Sequence, residues 1–274
     1  MIPHLLGRDS EIRYWPGFNL WEEPKCSYIC GMSDYLVVIP TYNEKDNVEL
    51  MVRAVFSLEK PFHLLIVDDG SPDGTGDIVK GLMEEFSGRL FLESRTGKLG
   101  LGTAYVHGFN WGLDRGYEYI FEMDCDFSHN PKDLPRLLAA CEEEGYDMSV
   151  GSRYVKGGGV VNWPRNRVLM SKYASVYVRA ILWMPVKDTT AGFKCYNRKV
   201  IEKLLEEPPK FVGYAFQIEM KYRAWKLGFS IKEVPIIFTD RVRGQSNMSS
   251  SIFKEAVLGV LKMRWDGLFK NWNK

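Results

Sequence analysis

The sequence predicts an α/β fold in which a mostly parallel sheet is covered by helices on both faces. Two observations carry this expectation. Short, almost continuously apolar runs alternate with longer segments of helical period, as in βαβ units. The apolar runs also lack a polar face, so both their sides must be buried, and a parallel sheet between helix layers does this.

The elements follow in order. Residues 1–31 hold Trp15, Trp21 and three prolines without a clean period and read as an N-terminal appendage. Met32 stands just before the first strand pattern, so one domain is expected over 32–248 and a separate helix over 249–274. Tyr35-Leu36-Val37-Val38-Ile39 reads as a buried strand and Asp46 to Phe56 as a helix. Leu64-Leu65-Ile66-Val67 is a second strand, followed by a helix from Ile78 to Phe86. Leu90-Phe91-Leu92, a helix over Thr103 to Leu113, and Tyr119-Ile120-Phe121 repeat the theme. A helix around Leu134 to Glu144 leads to a further strand, Asp147-Met148-Ser149-Val150. From Ser251 onward, Ile252, Phe253, Ala256, Val257, Val260, Leu261, Trp265, Leu268, Phe269 and Trp272 recur at helical spacing. Lys254, Lys262, Arg264, Lys270 and Lys274 oppose Glu255 and Asp266, giving +5 − 2 = +3. Such a basic amphipathic helix lies in a membrane interface, docks on the sheet, or meets a membrane subunit.

Composition narrows the class. Of 274 residues, 45% are hydrophobic and 26% charged, with a net charge of +1. These values describe a globular chain and give no electrostatic argument for nucleic acid. Cys26, Cys30, Cys125, Cys141 and Cys195 form no disulfide framework, and the lone Cys26-Cys30 spacing does not suggest zinc. A reduced, cytoplasmic setting is expected. No apolar run reaches the ~18–20 residues of a membrane span, and the N-terminal stretch is not read as a signal peptide.

Ligands of open α/β sheets bind outside the carboxyl ends of the strands, so the residues after each strand are site candidates. They are Pro40-Thr41-Tyr42-Asn43-Glu44, Asp68-Asp69-Gly70-Ser71-Pro72-Asp73-Gly74, Asp124-Cys125-Asp126 and Gly151-Ser152-Arg153-Tyr154. Taken singly, each acidic end is also a turn or a helix cap. Taken together they converge on one edge. Carboxylates that converge there favour a hard divalent cation bound through oxygen, with phosphates completing its shell. The glycines from Gly97 to Gly102 do not have dinucleotide-binding spacing, and no GxxxxGK[ST] loop occurs.

"VVIPTYNE", "IVDDGSPDGT", "GLGTAYVHG", "MDCDFSHNP", "GSRY", "GYAFQIEM" and "FTDRVRGQSNM" occur in this order. Together, across roughly Tyr35 to Met248, they resemble the dolichol-phosphate (polyprenyl-phosphate) mannose synthases of inverting glycosyltransferase family 2. The resemblance implies a GT-A fold, Mg2+ or Mn2+ as cofactor, and transfer of mannose from GDP-mannose to a polyprenyl or dolichyl phosphate. It implies work at the cytoplasmic face of a membrane as a peripheral protein, with membrane subunits as possible partners. Pro40, Tyr42 and Glu44 match the segment that holds the guanine nucleoside, and Val67 and Asp69 its second wall. Asp124, Cys125 and Asp126 match the family's DAD segment at the metal and donor diphosphate, and Ser128 falls where a third metal-facing oxygen is expected. Arg153, Arg167 and Arg241 match basic positions near the transferred group and acceptor phosphate, with Arg153 and Arg241 also beside the donor. Cys125 stands where alanine is usual. Asn247 stands where the family has lysine, and Arg243 is the candidate replacement.

The residues give a separate argument for a phosphate acceptor. A sugar hydroxyl needs a general base to attack, whereas a phosphate monoester is already ionised near neutral pH. What it needs is positive charge, which arginine supplies bidentately. Arg153, Arg165, Arg167, Arg241 and Arg243 are available, Arg165 being read as a surface residue. Asp188, Gln217 and Glu219 are candidates for sugar contacts or, equally, for core and capping roles. Two alternatives stay open. One is a transferase using UDP-glucose or a hydroxyl acceptor, with Glu219 or Asp188 as base. The other is a non-catalytic sugar-nucleotide-binding subunit.

Overall fold

The computed structural model describes residues 33–241, 250–270 and 272, all within one compact unit from Ser33 to Lys274. The expectations for residues 1–31, Arg243 and Asn247, and for the side chains of Ile252, Phe253 and Ala256, lie outside the described residues.

Seven strands form the main sheet: β1 (Tyr35–Thr41), β2 (His63–Asp68), β3 (Leu90–Ser94), β4 (Tyr119–Glu122), β5 (Met148–Ser152), then β7 (Lys194–Asn197) and β8 (Ile231–Pro235). Between and after them, β6 (Gly159–Val161) and β9 (Ile237–Thr239) make a separate ribbon. The sheet order is β3-β2-β1-β4-β7-β5-β8. All its pairings are parallel except those of β7, which runs antiparallel to both β4 and β5. The mostly parallel sheet expected from the apolar runs is therefore present.

Strand alternation sends one set of side chains to each helix layer. Val37, Ile39 and Phe121 meet α1 (Val48–Phe56), α2 (Thr75–Glu85) and α4 (Leu134–Glu142) on one face. Leu36, Val38 and Ile120 meet α3 (Leu101–Asp114), α6 (Arg198–Leu205) and α7 (Tyr214–Lys226) on the other. Gly108 lets α3 lie flat on β1, because a Cβ there would stand 2.4 Å from a Val38 methyl.

Two further helices pack beyond α7. Val178 and Leu182 of α5 (Arg165–Leu182), Ile218 and Tyr222 of α7, and Val260 and Met263 of α8 (Ser250–Phe269) share a third apolar cluster. The apolar residues of the last helix are thus divided. Val260 is sealed against the domain, while Leu261, Trp265, Leu268 and Phe269 are exposed. Among the described residues, no helix is long and apolar enough to cross a membrane.

Candidate active site

The strand order reverses between β1 and β4, and the crevice at their carboxyl ends is where a ligand site is expected. The first wall comes from β4. Its last residue, Glu122, is followed by a turn that presents Asp124 and Asp126. Phe127 holds that turn at φ +62°, a left-handed conformation uncommon for a bulky residue. The turn lets the Ser128 amide (3.0 Å) and hydroxyl (2.5 Å) both donate to Asp126 Oδ1. Ser128, expected as a third metal-facing oxygen, is directed at Asp126, because the tight turn brings its hydroxyl onto that carboxylate.

Asp124 is held differently. Its backbone N–H donates to Nδ1 of the buried His129 at 3.2 Å, and His129 stacks on Phe193 at 5.0 Å between ring centroids. The hydroxyl of buried Tyr105 lies 3.4 Å from Asp124 Oδ1. Burial pushes the Asp124 carboxyl up; nearby His129 and Arg241 oppose this and Asp126 adds to it. Glu44 is raised by the same main cause, burial, with Asp126 and Asp124 contributing. Three carboxylates thus share one end of the crevice.

The basic wall depends on the β6–β9 ribbon. Its parallel register sets Val161 beside Thr239, and Asp240 N–H donates to Val161 O at 3.1 Å. Thr239 N–H donates to Ser128 O at 3.3 Å, which ties the ribbon to the β4 turn. Arg241, the next residue but one, reaches Asp126 Oδ2 at 2.8 Å. Arg167, in the first turn of α5, reaches Asp240 Oδ1 at 2.8 Å, its guanidinium lying 4.2 Å from the Trp163 ring centroid. Arg167, Asp240, Arg241 and Asp126 therefore form one continuous arc. Asp240 and Trp163 were not singled out from sequence, although Asp240 immediately precedes Arg241 in "FTDRVRG".

Arg153, expected near the transferred group and the acceptor phosphate, is engaged by Asp188. Its Nε and Nη2 donate to the two oxygens of Asp188 at 2.7 and 2.6 Å, and Nη2 also reaches Thr190 Oγ1 at 2.7 Å. The side chains are 7% and 0% exposed. The guanidinium charge is matched inside the protein, so Arg153 shapes the wall behind Trp163 and does not present a free charge to a phosphate. Asp188 is likewise removed from the sugar candidates by its burial. Buried Gln217 accepts from Lys194, and Glu219 accepts from the amides of Lys210 (2.9 Å) and Phe211 (3.1 Å). Both take the structural alternative.

The nucleoside wall follows the ends of β1 and β2. Pro40 pairs in register with Val67, and Thr41 with Asp68. Of the two adjacent acids, Asp68 is structural: it accepts from Thr41 Oγ1 (2.8 Å) and from the Ser71 amide (2.9 Å) and hydroxyl (2.6 Å). Asp69 pairs with Arg95, whose Nε stands 2.6 Å from Oδ1, and Arg95 in turn reaches Thr103 at 2.9 Å. Lys98 Nζ lies 4.9 Å from the Tyr42 ring centroid. Glu44 accepts from Asn47 Nδ2 at 2.7 Å. Cys125 is buried and contributes backbone to the turn.

A second charged pair supports the acidic wall from beneath. Glu122 and Lys194 are cross-strand partners on β4 and β7, 2.9 Å apart and fully buried, and Tyr196 donates to Glu122 at 2.6 Å. Sequence reading passed over both: Glu122 ends β4 and Lys194 begins β7.

The donor set fits a hard cation, since Asp124, Asp126 and Glu44 bring carboxylate oxygens to one end of the crevice. It does not form a complete cage: among the described residues, no group of three or more His, Cys, Asp or Glu is arranged to hold a metal. Asp124 and Asp126 would supply two ligands, leaving the rest to phosphate and water.

Residues 36–205 match the profile of glycosyl transferase family 2. The chain is 48% identical over 225 residues to a polyprenol monophosphomannose synthase of Mycolicibacterium smegmatis, covering 82% of this chain and 84% of that one. It is 42% identical over 237 residues to an undecaprenyl-phosphate mannosyltransferase of Micrococcus luteus, covering 85% and 96%. Among solved structures, it superposes on glucosyl-3-phosphoglycerate synthase of Mycobacterium tuberculosis, bound to Mn2+, UDP-glucose and phosphoglyceric acid. The TM-score is 0.61 at 19% identity, over 85% and 80% of the chains. A mannosyltransferase of Pyrobaculum calidifontis in complex with GDP-Man and Mn2+ superposes with a TM-score of 0.53 at 15% identity, over 86% and 74%. The last two likenesses establish the fold.

Proposed function

The chain belongs to glycosyl transferase family 2, and from that premise we propose that it transfers a mannosyl group from GDP-mannose to a polyprenyl phosphate. The reaction inverts the anomeric centre, giving polyprenyl-phosphate β-mannose and GDP. The observation that carries this reading is the arc of Arg167, Asp240, Arg241 and Asp126, which sets two arginines against the paired carboxylates at the sheet's switch point.

The nucleoside lies along the ends of β1 and β2, with Pro40, Tyr42, Glu44, Val67 and Asp69 as its walls and the backbone at Cys125 beneath the diphosphate. The acceptor phosphate lies against Arg167 and Arg241. Their planar guanidinium donors can hold a phosphate bidentately without taking its charge. The acceptor oxygen attacks the anomeric carbon as GDP leaves from the opposite face. A divalent cation, Mg2+ or Mn2+, held by Asp124 and Asp126 supplies Lewis-acid stabilisation of the leaving diphosphate when bound. Arg153 contributes by holding Trp163 and the Asp188 loop in place.

A hydroxyl acceptor is less well supported. It needs a base, and the two carboxylates suggested for that role, Asp188 and Glu219, are buried and engaged. The acceptor's hydrocarbon tail places the work at a membrane surface, with the chain as a peripheral protein on the cytoplasmic face. The chemistry is assigned to residues 32–248.

The test is to incubate the protein with Mg2+ or Mn2+, a polyprenyl phosphate, and either radiolabelled GDP-mannose or UDP-glucose. Label should pass from GDP-mannose into the organic phase. Transfer from UDP-glucose instead, or transfer to a sugar hydroxyl, would overturn the reading.

A further inference from the structure

The "GYAFQIEM" segment is only partly accounted for by the walls of the crevice. Its Gln217 and Glu219 are spent inside the protein, on Lys194 and on the amides of Lys210 and Phe211. Tyr214 opens α7 one turn ahead of Gln217, on the same side of the helix. Gln217 is buried, whereas Tyr214 is 41% exposed. Three contacts fix where this first turn lies. Gly102 N–H, at the start of α3, donates to Val212 O at 2.8 Å. Phe216 stacks on Tyr105 with 6.1 Å between ring centroids, and the Tyr105 hydroxyl is the one beside Asp124. The fully buried Lys221 donates to Ala191 O at 2.6 Å, which fixes the loop carrying Gly192. A Cβ on Gly192 would stand 3.6 Å from Gln217 Nε2 and 4.0 Å from Asp124 Oδ2.

The first turn of α7 therefore borders the acidic wall, and its phenol senses the basic wall as well. Burial pushes the Tyr214 hydroxyl up, Asp124 and Asp126 add to this, and Arg241 and Arg167 oppose it. Tyr214 is thus a neutral group between two charged walls. That place has a chemical meaning. With the leaving diphosphate on the acids and the acceptor phosphate on the arginines, the transferred hexose lies between them. A hexose carries no charge, only hydroxyls and C–H faces. Glu44, Asp124, Asp126, Asp240, Arg167 and Arg241 are all ionisable, whereas a phenol both donates and accepts a hydrogen bond and offers an apolar ring face. Tyr105 is not available for this, because it is fully buried.

We propose that Tyr214 binds the transferred hexose, its hydroxyl hydrogen-bonding a sugar hydroxyl and so holding the anomeric carbon between the two walls. This deepens the mannosyl-transfer reading and rests on it for the assignment of the walls to donor and acceptor. The nucleoside and the diphosphate gain nothing from the phenol, so its contribution belongs to the sugar alone.

The test is calorimetry on the full chain with Mg2+ and no acceptor, for wild type, Tyr214→Phe and Tyr214→Ala. It compares GDP with GDP-mannose, and UDP with UDP-glucose. The position is a partly exposed helix start, so both variants should fold, and a thermal melt checks this. GDP alone should bind all three proteins equally. Tyr214→Phe should weaken GDP-mannose by about twofold to tenfold, as the loss of one hydrogen bond implies. Tyr214→Ala should weaken it further, since the ring face goes too. The KM of Tyr214→Phe for polyprenyl phosphate should match that of wild type. Equal losses for GDP and GDP-mannose would overturn the assignment, and so would unchanged affinity for both. A raised KM for the lipid phosphate with GDP-mannose affinity intact would also overturn it, because the phenol would then serve the acceptor. If the wild type binds the uridine pair in place of the guanosine pair, the functional reading fails. The sugar-dependent part of UDP-glucose affinity in the two variants then still judges Tyr214.

Discussion

Replacing Asp188 with alanine should destabilise the protein strongly, because it strands a buried guanidinium. Arg153 directs Nε, Nη2 and its own backbone N–H at the two Asp188 oxygens, at 2.7, 2.6 and 2.9 Å. Water cannot replace the missing carboxylate, since the Asp188 site is fully buried. Removing one partner of such a pair costs about 3–5 kcal/mol, mostly the penalty of an uncompensated buried charge. At roughly 2–4 °C per kcal/mol for a domain of this size, the melting temperature should fall by about 6–20 °C. Burial pushes the Asp188 carboxyl up, but Arg153 outweighs it and holds the group below its usual range. A depressed carboxyl contributes stability above the unfolded value, about 3.9, and loses it as pH falls through the folded value. The gap between wild type and variant should therefore stay constant from neutral pH to about pH 4 and close only in stronger acid. Urea denaturation across that pH range gives the gap, and steady-state kinetics well below the variant's melting point give its activity. The double variant Asp188→Leu/Arg153→Met should recover much of the lost stability, because it removes both charges. An Asp188→Ala protein with an unchanged melting temperature and collapsed kcat would refute the reasoning and return Asp188 to the substrate.

Asp126→Asn should lower kcat by about 10²–10³, the usual effect of removing one charge-stabilising group from a reacting centre, with the melt shifted little; full activity in Mg2+ would contradict the assignment. Arg241→Ala and Arg167→Ala should raise KM for the lipid phosphate while leaving the calorimetric Kd for GDP nearly unchanged, and equal losses in both would end the division between donor and acceptor walls. Lys194→Met should cost about 3–5 kcal/mol in urea unfolding by stranding Glu122, and a loss below about 1 kcal/mol would show that water reaches that pair.

Much of the fold was legible because its strands are unbroken apolar runs, and Val37-Val38-Ile39 or Leu64-Leu65-Ile66-Val67 can be buried on both faces in few other ways. The acidic wall was legible for the same reason: Asp124 and Asp126 end such a run and cannot continue it. The basic wall was only half visible. Arg167 and Arg241 were singled out as candidates, but the β6–β9 ribbon that joins them has two strands of three residues, too short to carry a period. Arg153 and Asp188 are 35 residues apart, and neither sequence neighbourhood reveals that they neutralise each other. Glu122 and Lys194 escaped notice because a buried ion pair between neighbouring strands leaves no local signature. The last helix misled for another reason. Its apolar residues extend around most of its circumference, so periodicity could not say that Val260 packs inward while Trp265 faces out.

The charge count at the crevice bears on the cofactor. Ionised Glu44, Asp124, Asp126 and Asp240 give −4, and Arg167 and Arg241 return +2, so these six side chains sum to −2. Arg153 adds nothing, because Asp188 cancels it within the protein. The site must nevertheless bring an anionic diphosphate and an anionic monoester together. Unit charges 4 Å apart interact by about 4 kcal/mol at the effective dielectric of a protein surface, so a net negative site would repel its donor. A divalent cation held by Asp124 and Asp126 would bring the sum to zero and remove that repulsion. GDP should therefore bind weakly in chelator and at least tenfold more tightly when Mg2+ or Mn2+ is restored. Calorimetry with wild type and Asp124→Asn/Asp126→Asn makes the test specific. The neutralised variant should still bind GDP in chelator, at least as well as wild type does there, and should gain little from added metal. Equal GDP affinity for wild type with and without the cation would show that the arginines alone balance the site, and that the paired carboxylates do something else.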